Sequence, residues 1–209
     1  MNQPVPAAEP LFGLPTAGGA APRVPHDDLL PELGTLDWDG LFERLNDQGV
    51  ALTPPLLSRA QCEEVTATFD DPGLFRSTVV MQRYDFGRGT YKYYADPAAI
   101  PLIGTLRERL YPPLAWMANQ WAAQLGERTF PGTLSELAAE CAGNGQVRPT
   151  PLILRYGPGD HACLHQDVYG DIVFPLQIAV MLNQPGEDFT GGENVFVEHA
   201  PAPSPGPSW

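Results

Sequence analysis

A histidine and an aspartate two residues apart, His165 and Asp167, form the pair in this chain best suited to hold a metal ion. The pair follows a Gly-Pro-Gly turn at 157–159 and precedes apolar segments of strand length. On a β-strand, residues i and i+2 point to the same face, so the imidazole and the carboxylate can converge on one ion. They supply two thirds of the facial triad that binds non-haem Fe(II). A structural His–Asp pair is the alternative.

The elements that must position this pair change in type along the chain. Residues 1–35 are rich in Pro, Ala and Gly without periodicity, which predicts a disordered lead-in. Helices are predicted over 38–46, from the Ser58 capping box to about Phe69, over 101–110, over 114–125 with Gly126 as cap, and from the Thr133 capping box to Gly143. Tyr111-Pro112-Pro113 is expected to separate the third helix from the fourth. Strands are predicted over 77–81, 151–156, 174–182 and 195–198, which indicates an α+β fold.

Composition limits the class of protein. With 209 residues and 43% hydrophobic content, the chain can bury one sizeable core. Cys62, Cys141 and Cys163 lack CxxC spacing and are expected to be reduced thiols. Neither a membrane span nor a signal peptide is evident, so a cytoplasmic location is expected. The net charge of −13 counts against a nucleic-acid partner.

Several motifs around the His–Asp pair resemble a bacterial branch of the Fe(II)/2-oxoglutarate-dependent dioxygenases. They are Leu-His-Gln-Asp-Val-Tyr-Gly at 164–170, Phe-Pro-Leu-Gln at 174–177 and Pro-Gly-Glu-Asp-Phe-Thr-Gly-Gly-Glu at 185–193. Upstream, Phe-Arg-Ser-Thr at 75–78 and Phe-Gly-Arg-Gly at 86–89 resemble the same branch. The resemblance covers residues 36–198. It implies helices packed on a double-stranded β-helix, or jelly roll, as in prolyl hydroxylases and AlkB-type demethylases.

The resemblance also implies a set of roles. His165 and Asp167 would bind Fe(II), and Tyr156 would contact 2-oxoglutarate unless it is a buried strand tyrosine. 2-Oxoglutarate and O₂ would be consumed, with ascorbate as reductant, while an organic substrate is hydroxylated. Oxidative demethylation of alkylated nucleobases is one candidate reaction, because this branch is often labelled as acting on damaged DNA. A prolyl-hydroxylase-like reaction on protein is the other, and the acidic composition favours it.

Two expected parts of such a site are missing from the sequence pattern. The superfamily places a second histidine and a 2-oxoglutarate-binding arginine well after the first pair, whereas residues 199–209 form a Pro-rich tail outside the pattern. The chain is therefore expected to be an incomplete jelly roll, and an inactive truncated fragment is a third candidate. His199 is an incidental residue in this interpretation, with a role as third ligand as the alternative. His161 is expected in a loop, and Cys163 is expected to pack.

Two further features have competing interpretations. Arg155 alternates with Tyr156 along its predicted strand, so an exposed ion pair is favoured over a clamp for 2-oxoglutarate. Residues 83–94 interleave basic and aromatic side chains. The segment is either a glycine-hinged loop that stacks a planar substrate or an aromatic hairpin packed on the barrel, and core packing is the favoured interpretation.

Overall fold

The computed structural model describes residues 19–22 and 29–197. These ranges contain the helices α1 (Trp38–Gln48), α2 (Arg59–Ala67), α3 (Pro101–Leu125) and α4 (Leu134–Gly143). They also contain the strands β1 (Phe75–Val80), β2 (Gly87–Arg88), β3 (Thr90–Tyr94), β4 (Leu152–Arg155) and β5 (His161–Ala162). The mixture of helices and small antiparallel sheets confirms the α+β class.

Two antiparallel sheets are present in the described part of the chain. The larger has the strand order β1-β3-β4, with Phe75 opposite Tyr94 and Tyr93 opposite Leu152. The smaller pairs β2 with β5. Neither closes into a barrel within the described residues, so the jelly roll stays a prediction.

The helices begin and end where local sequence signals place them. Ser58 and Thr133 both form complete capping boxes, and Gly126 adopts φ +69° at the end of α3. One detail of the prediction is wrong at the end of α4: Gly143 is its last helical residue, and the left-handed conformation occurs at Gly145 with φ +78°.

The predicted break at Pro112 and Pro113 is also wrong, because α3 runs through both residues. Each proline removes one backbone hydrogen bond, which ordinarily disrupts a helix. Tertiary packing opposes that loss: Pro113 is fully buried and the Tyr111 hydroxyl donates to the Pro131 carbonyl at 2.8 Å. Burial raises the pKa of Tyr111 to about 12.

The core forms between the helices and the larger sheet, and α3 contributes to both of its parts. The main cluster combines α1, α3 and the sheet through residues such as Phe42, Met117 and Ile153. A smaller cluster joins Ala118 of α3 to Phe130 and Ile172. This packing explains why Leu114, Met117 and Trp121 occur at helical spacing, as predicted for core residues.

Two predicted boundaries require correction. The folded part begins before residue 36, because Pro31–Thr35 is a 3₁₀-helix and Leu30 and Leu33 are fully buried. The strand predicted for 174–182 is wrong, because this segment has no ladder partners, and residues 195–197 also lie outside any strand. Most of the predicted lead-in, with Glu198 and the Pro-rich tail, lies outside the described residues.

Candidate functional site

The side chains of His165 and Asp167 lie next to each other. The Nε2 atom of His165 is 3.6 Å from the Oδ1 atom of Asp167, and the two side chains are 59% and 42% exposed. The pair follows β5 in a segment that belongs to no strand, so the predicted strand is not what brings the side chains together. Two ligands at right angles, each about 2.1 Å from a metal, lie about 3 Å apart. The observed spacing of 3.6 Å is somewhat longer, so the two atoms would move closer together on binding a metal at right angles.

A backbone contact orients the imidazole of His165. Its Nδ1 atom lies 2.8 Å from the carbonyl oxygen of Cys163, and since a carbonyl only accepts, Nδ1 carries the proton in this contact. In the neutral ring, Nε2 then has the free lone pair, and it is the nitrogen nearer to Asp167. Metal-binding histidines ordinarily show this arrangement, in which the second ring nitrogen donates to a carbonyl or carboxylate.

Asp167 is oriented by a side chain that the sequence did not single out. The Nε2 atom of Gln177 donates to Oδ2 of Asp167 at 3.0 Å, while Oδ1 faces His165. Gln177 lies ten residues after Asp167 in a segment predicted as strand. Strand alternation alone does not indicate which of its side chains returns to the pair.

Asp167 lies close to β3, the middle strand of the larger sheet. Burial raises the pKa of Tyr91 and of Tyr93 on β3, and the neighbouring Tyr169 and Asp167 raise both further. The Tyr91 and Tyr93 rings meet edge to face with centroids 5.6 Å apart. An aromatic, partly buried surface therefore borders the carboxylate.

The smaller sheet holds the segment before the pair in place. Gly87 pairs with Ala162, and the Cys163 amide donates to the Phe86 carbonyl at 2.9 Å. Gly87 has φ +115°, and a Cβ atom there would overlap the His161 carbonyl oxygen. Only glycine permits this close approach of the two backbones.

Tyr156 packs against Gly89, and no closed barrel surrounds it within the described residues. A Cβ atom on Gly89, which has φ +134°, would lie 2.8 Å from the Tyr156 ring. Burial, followed by the nearby Asp160, raises the pKa of Tyr156, although the side chain stays partly exposed. A role for Tyr156 toward 2-oxoglutarate stays a prediction.

Arg155 forms the predicted ion pair. Its two terminal nitrogens lie 2.9 Å from the two carboxylate oxygens of Asp70, and its guanidinium stacks 3.8 Å from the Phe69 centroid. Hydrogen bonding to Arg155 is the main reason that the pKa of Asp70 is lowered. This bidentate contact occupies Arg155 and supports the ion-pair interpretation over the clamp.

The remaining candidates are exposed or lie elsewhere. His161 is on β5, opposite Arg88, instead of in the predicted loop. Cys163 is exposed, contrary to the packing expected of it. No group of three or more His, Cys, Asp or Glu side chains in the described ranges could hold a metal ion, and His199 lies outside those ranges. No helix in the described ranges is long and apolar enough to cross a membrane.

The basic and aromatic segment 83–94 divides into two parts. Tyr94 is buried and packs on Phe75 with ring centroids 4.8 Å apart, as a core hairpin would. Tyr84 and Phe86 instead lie exposed and stacked on each other. Core packing therefore describes Tyr94, and the stacking of a planar substrate by the exposed rings stays a prediction.

Two curated proteins are similar in sequence to part of this chain. The chain is 46% identical over 101 residues to uncharacterised proteins from two strains of Mycobacterium tuberculosis, over 48% of this chain and 43% of each relative. The chain thus spans less than half the length of the curated relatives it matches. No solved structure matches it.

A family model also matches, over residues 89–205, which is more than half of the chain. The family is described as "Oxygenase, catalysing oxidative methylation of damaged DNA". The match includes β3, β4, β5 and the His165–Asp167 pair. This chain therefore belongs to that family of oxygenases.

Proposed function

We propose that the chain belongs to an Fe(II)- and 2-oxoglutarate-dependent oxygenase that acts on alkylated nucleobases, with His165 and Asp167 as two of the iron ligands. The observation that carries the proposal is the orientation of the pair: Nδ1 of His165 contacts the Cys163 carbonyl, and Nε2 lies 3.6 Å from Asp167 Oδ1. The family match to oxygenases supports it independently.

The two donors of the pair are of the types that bind iron. One imidazole nitrogen and one carboxylate oxygen are two of the three donors of the facial triad, and both side chains have contacts that orient them. No third His, Cys, Asp or Glu side chain forms a metal-binding group with the pair among the described residues. When bound, iron with 2-oxoglutarate and O₂ would supply the hydroxylation of a substrate C–H bond and the decarboxylation of 2-oxoglutarate to succinate and CO₂, with one oxygen atom of O₂ going to each organic product.

The residues of this chain have binding and positioning tasks in that reaction. The Cys163 carbonyl keeps the proton on Nδ1 of His165, and the Gln177 amide keeps Oδ1 of Asp167 turned toward it. Tyr156 is proposed to contact 2-oxoglutarate. The proposal assigns no partner to the distal carboxylate of 2-oxoglutarate, because Arg155 is held by Asp70.

Two observations bear on the substrate, and they oppose each other. The net charge of −13 repels a phosphate backbone and favours a protein substrate, as in prolyl hydroxylases. The family description names damaged DNA. We favour a nucleobase as substrate, because the family description names damaged DNA. The net charge affects how tightly a nucleic acid binds more than it affects the reaction that the site carries out. The location proposed for the protein is the cytoplasm.

Binding of Co(II), a spectroscopic substitute for Fe(II), tests the metal site directly. We expect saturable d–d absorption on titration of the protein, and loss of that absorption in His165→Ala and Asp167→Ala. His161→Ala is the matched control, because His161 is a histidine four residues away whose backbone pairs with Arg88. Equal loss in His161→Ala and His165→Ala would contradict a specific role for His165.

Turnover separates the enzyme from the inactive-fragment alternative. Succinate release under air, with Fe(II), 2-oxoglutarate and ascorbate, is expected from a protein that completes the site. Since the described residues bring together only two donors, we expect weak but saturable Co(II) binding and little succinate from the 209-residue chain, a result that would favour the inactive-fragment alternative for it. Turnover lost in His165→Ala and kept in His199→Ala would show that another residue completes the site. Turnover kept in His165→Ala would contradict the proposal.

A further inference from the structure

We propose that Tyr84 and Phe86, here called the aromatic pair, form a stacking site for a single unpaired nucleobase. This inference rests on the proposed function, since it names how that oxygenase would hold its substrate. Nothing in the chemistry assigned to His165 and Asp167 requires the aromatic pair.

The exposure of the aromatic pair needs an explanation. The two rings stack with centroids 5.6 Å apart and an interplanar angle of 22°, and the residues are 58% and 49% exposed. Burying an aromatic side chain is favourable. Tyr94, eight residues after Phe86, is buried in this way and is only 1% exposed. Two stacked rings left in solvent form a flat surface with the shape and chemistry of a base-stacking platform.

The backbone holds the aromatic pair rigidly. The amides of Tyr84 and Phe86 both donate to the Met81 carbonyl, at 3.0 and 3.2 Å. Between them, Asp85 has φ +58°, the one positive φ at a non-glycine residue in the described ranges. Such a conformation persists only where surrounding contacts enforce it, and it is concentrated at binding sites. The pair is therefore organised before any ligand arrives.

The aromatic pair borders the candidate metal site. The Phe86 carbonyl accepts from the Cys163 amide at 2.9 Å, and the Cys163 carbonyl contacts His165 at 2.8 Å. On the other side, burial is the main cause of the raised pKa of Tyr91, and nearby Asp167 and Tyr84 each add to it, so both lie in its neighbourhood. A ring stacked on the pair would thus lie beside the residues proposed to bind iron.

The charges near the aromatic pair favour a base over an apolar peptide. Arg83 is exposed and makes no hydrogen bond or ion pair within the described residues. Arg88 is 61% exposed and its Nε atom lies 3.7 Å from Asp160, which leaves most of its guanidinium accessible. These two arginines could contact the phosphates that flank one base. The net charge of −13 opposes a longer phosphate track, so the ligand is one base with its neighbouring phosphates.

Fluorescence of a short single-stranded oligodeoxynucleotide with one 2-aminopurine tests the stacking site, without metal or 2-oxoglutarate. We expect quenching on binding, and affinity reduced about fivefold or more in Tyr84→Leu and Phe86→Leu, because each removes a π face and keeps apolar volume. Phe196→Leu is the matched control. Phe196 is also an exposed aromatic residue, and it lies far from Tyr84 and Phe86 in the sequence. The slope of log affinity against log salt should correspond to about one or two phosphates.

Three results would overturn the inference: no quenching, equal losses in Phe86→Leu and Phe196→Leu, or tighter binding of a proline-rich peptide than of the oligonucleotide. Because the assay contains no metal, its failure leaves the Co(II) result for His165 and Asp167 intact. Conversely, base stacking without Co(II) binding would support the stacking site and contradict the proposed iron site. Circular dichroism of each variant would confirm that the fold is unchanged.

Discussion

Residues 30–155, the packed segment, and residues 156–197, the site segment, differ sharply in how their apolar side chains are used. Among the described residues, Ile172 is the only buried hydrophobic residue that belongs to the site segment. Of the eighteen large hydrophobic residues exposed in the same part of the chain, eleven belong to it. The site segment has apolar sequences of strand length, yet its strand content is β5 and one isolated bridge between Pro185 and Phe189.

This difference shows that partners, more than composition, decide where a core forms. Strands β1, β3 and β4 pair with one another and lie against helices, so their apolar faces are covered. The site segment is instead attached at separate points. The Gln146 side chain bonds both the amide and the carbonyl of Ile172, at 2.9 and 3.0 Å, and Arg59 bonds Asp188 at 3.0 Å. The His165–Asp167 pair precedes both attachments in the sequence.

The largest expected effect is on the free energy of unfolding, and it comes from truncating a core leucine. An exposed residue of the site segment serves for comparison. Leu33→Ala should lower the free energy of unfolding by about 2–5 kcal/mol, because Leu33 is fully buried and its removal leaves a cavity. Val195→Ala, at an exposed position, should change it by less than about 0.5 kcal/mol. Urea denaturation measures both. Equal effects would mean that the two segments share one core.

The next effect concerns the β2–β5 pairing, where the two segments meet. Gly87→Ala should cost about 1–3 kcal/mol locally, because φ is +115° and the added Cβ would overlap the His161 carbonyl. Hydrogen exchange should then accelerate at the amide of Cys163, which donates to Phe86. Gly191→Ala is the control: φ is +76°, but the nearest atom, on Glu193, is 3.9 Å away. Unchanged exchange in Gly87→Ala would show that this pairing does not anchor the site segment.

A smaller effect is expected from the side chain that orients Asp167. Gln177→Met keeps the length of the side chain and removes its donor, so Co(II) affinity should fall about tenfold, or about 1.4 kcal/mol. Stability without metal should not change, since the bond is exposed. Gln166→Met is the control, because Gln166 lies between the two ligands and has no hydrogen bond within the described ranges. Equal affinities of the two variants would exclude an orienting role for Gln177.

The elements that the sequence predicted correctly depend on local signals. Capping boxes at Ser58 and Thr133 satisfy backbone groups within four residues, so they are visible in the sequence itself. The failures depend on distant contacts. Helix α3 continues through Pro112 because its neighbours are buried, and the strand predicted for 174–182 lacks the partner that any strand requires.

The candidate site shows the same division. The spacing of His165 and Asp167 suggested that they converge, and their side chains are adjacent in a segment without strand pairing. The orienting contacts of Cys163 and Gln177 were not predicted: a backbone carbonyl has no sequence signal, and the Phe-Pro-Leu-Gln motif that contains Gln177 does not show which residue its amide contacts. The exposure of Tyr84 and Phe86 depends on the turn at Asp85, whose positive φ is uncommon for any residue except glycine.

The smallest expected effect tests the interpretation of Arg155, the last residue of β4 and the neighbour of Tyr156. Asp70→Asn should slightly destabilise the protein at neutral pH, since both members of the ion pair are largely exposed. The pKa of Asp70 is lowered from its ordinary value of 3.8 by its hydrogen bonds to Arg155. The contribution of the pair is therefore present above that value and is lost as the pH falls through the lowered pKa. Thermal unfolding of the wild type and Asp70→Asn should differ at pH 7 and converge in acid, while Co(II) affinity stays equal. A large loss of 2-oxoglutarate binding in Arg155→Met, without a similar loss in Asp70→Asn, would instead restore Arg155 as the clamp.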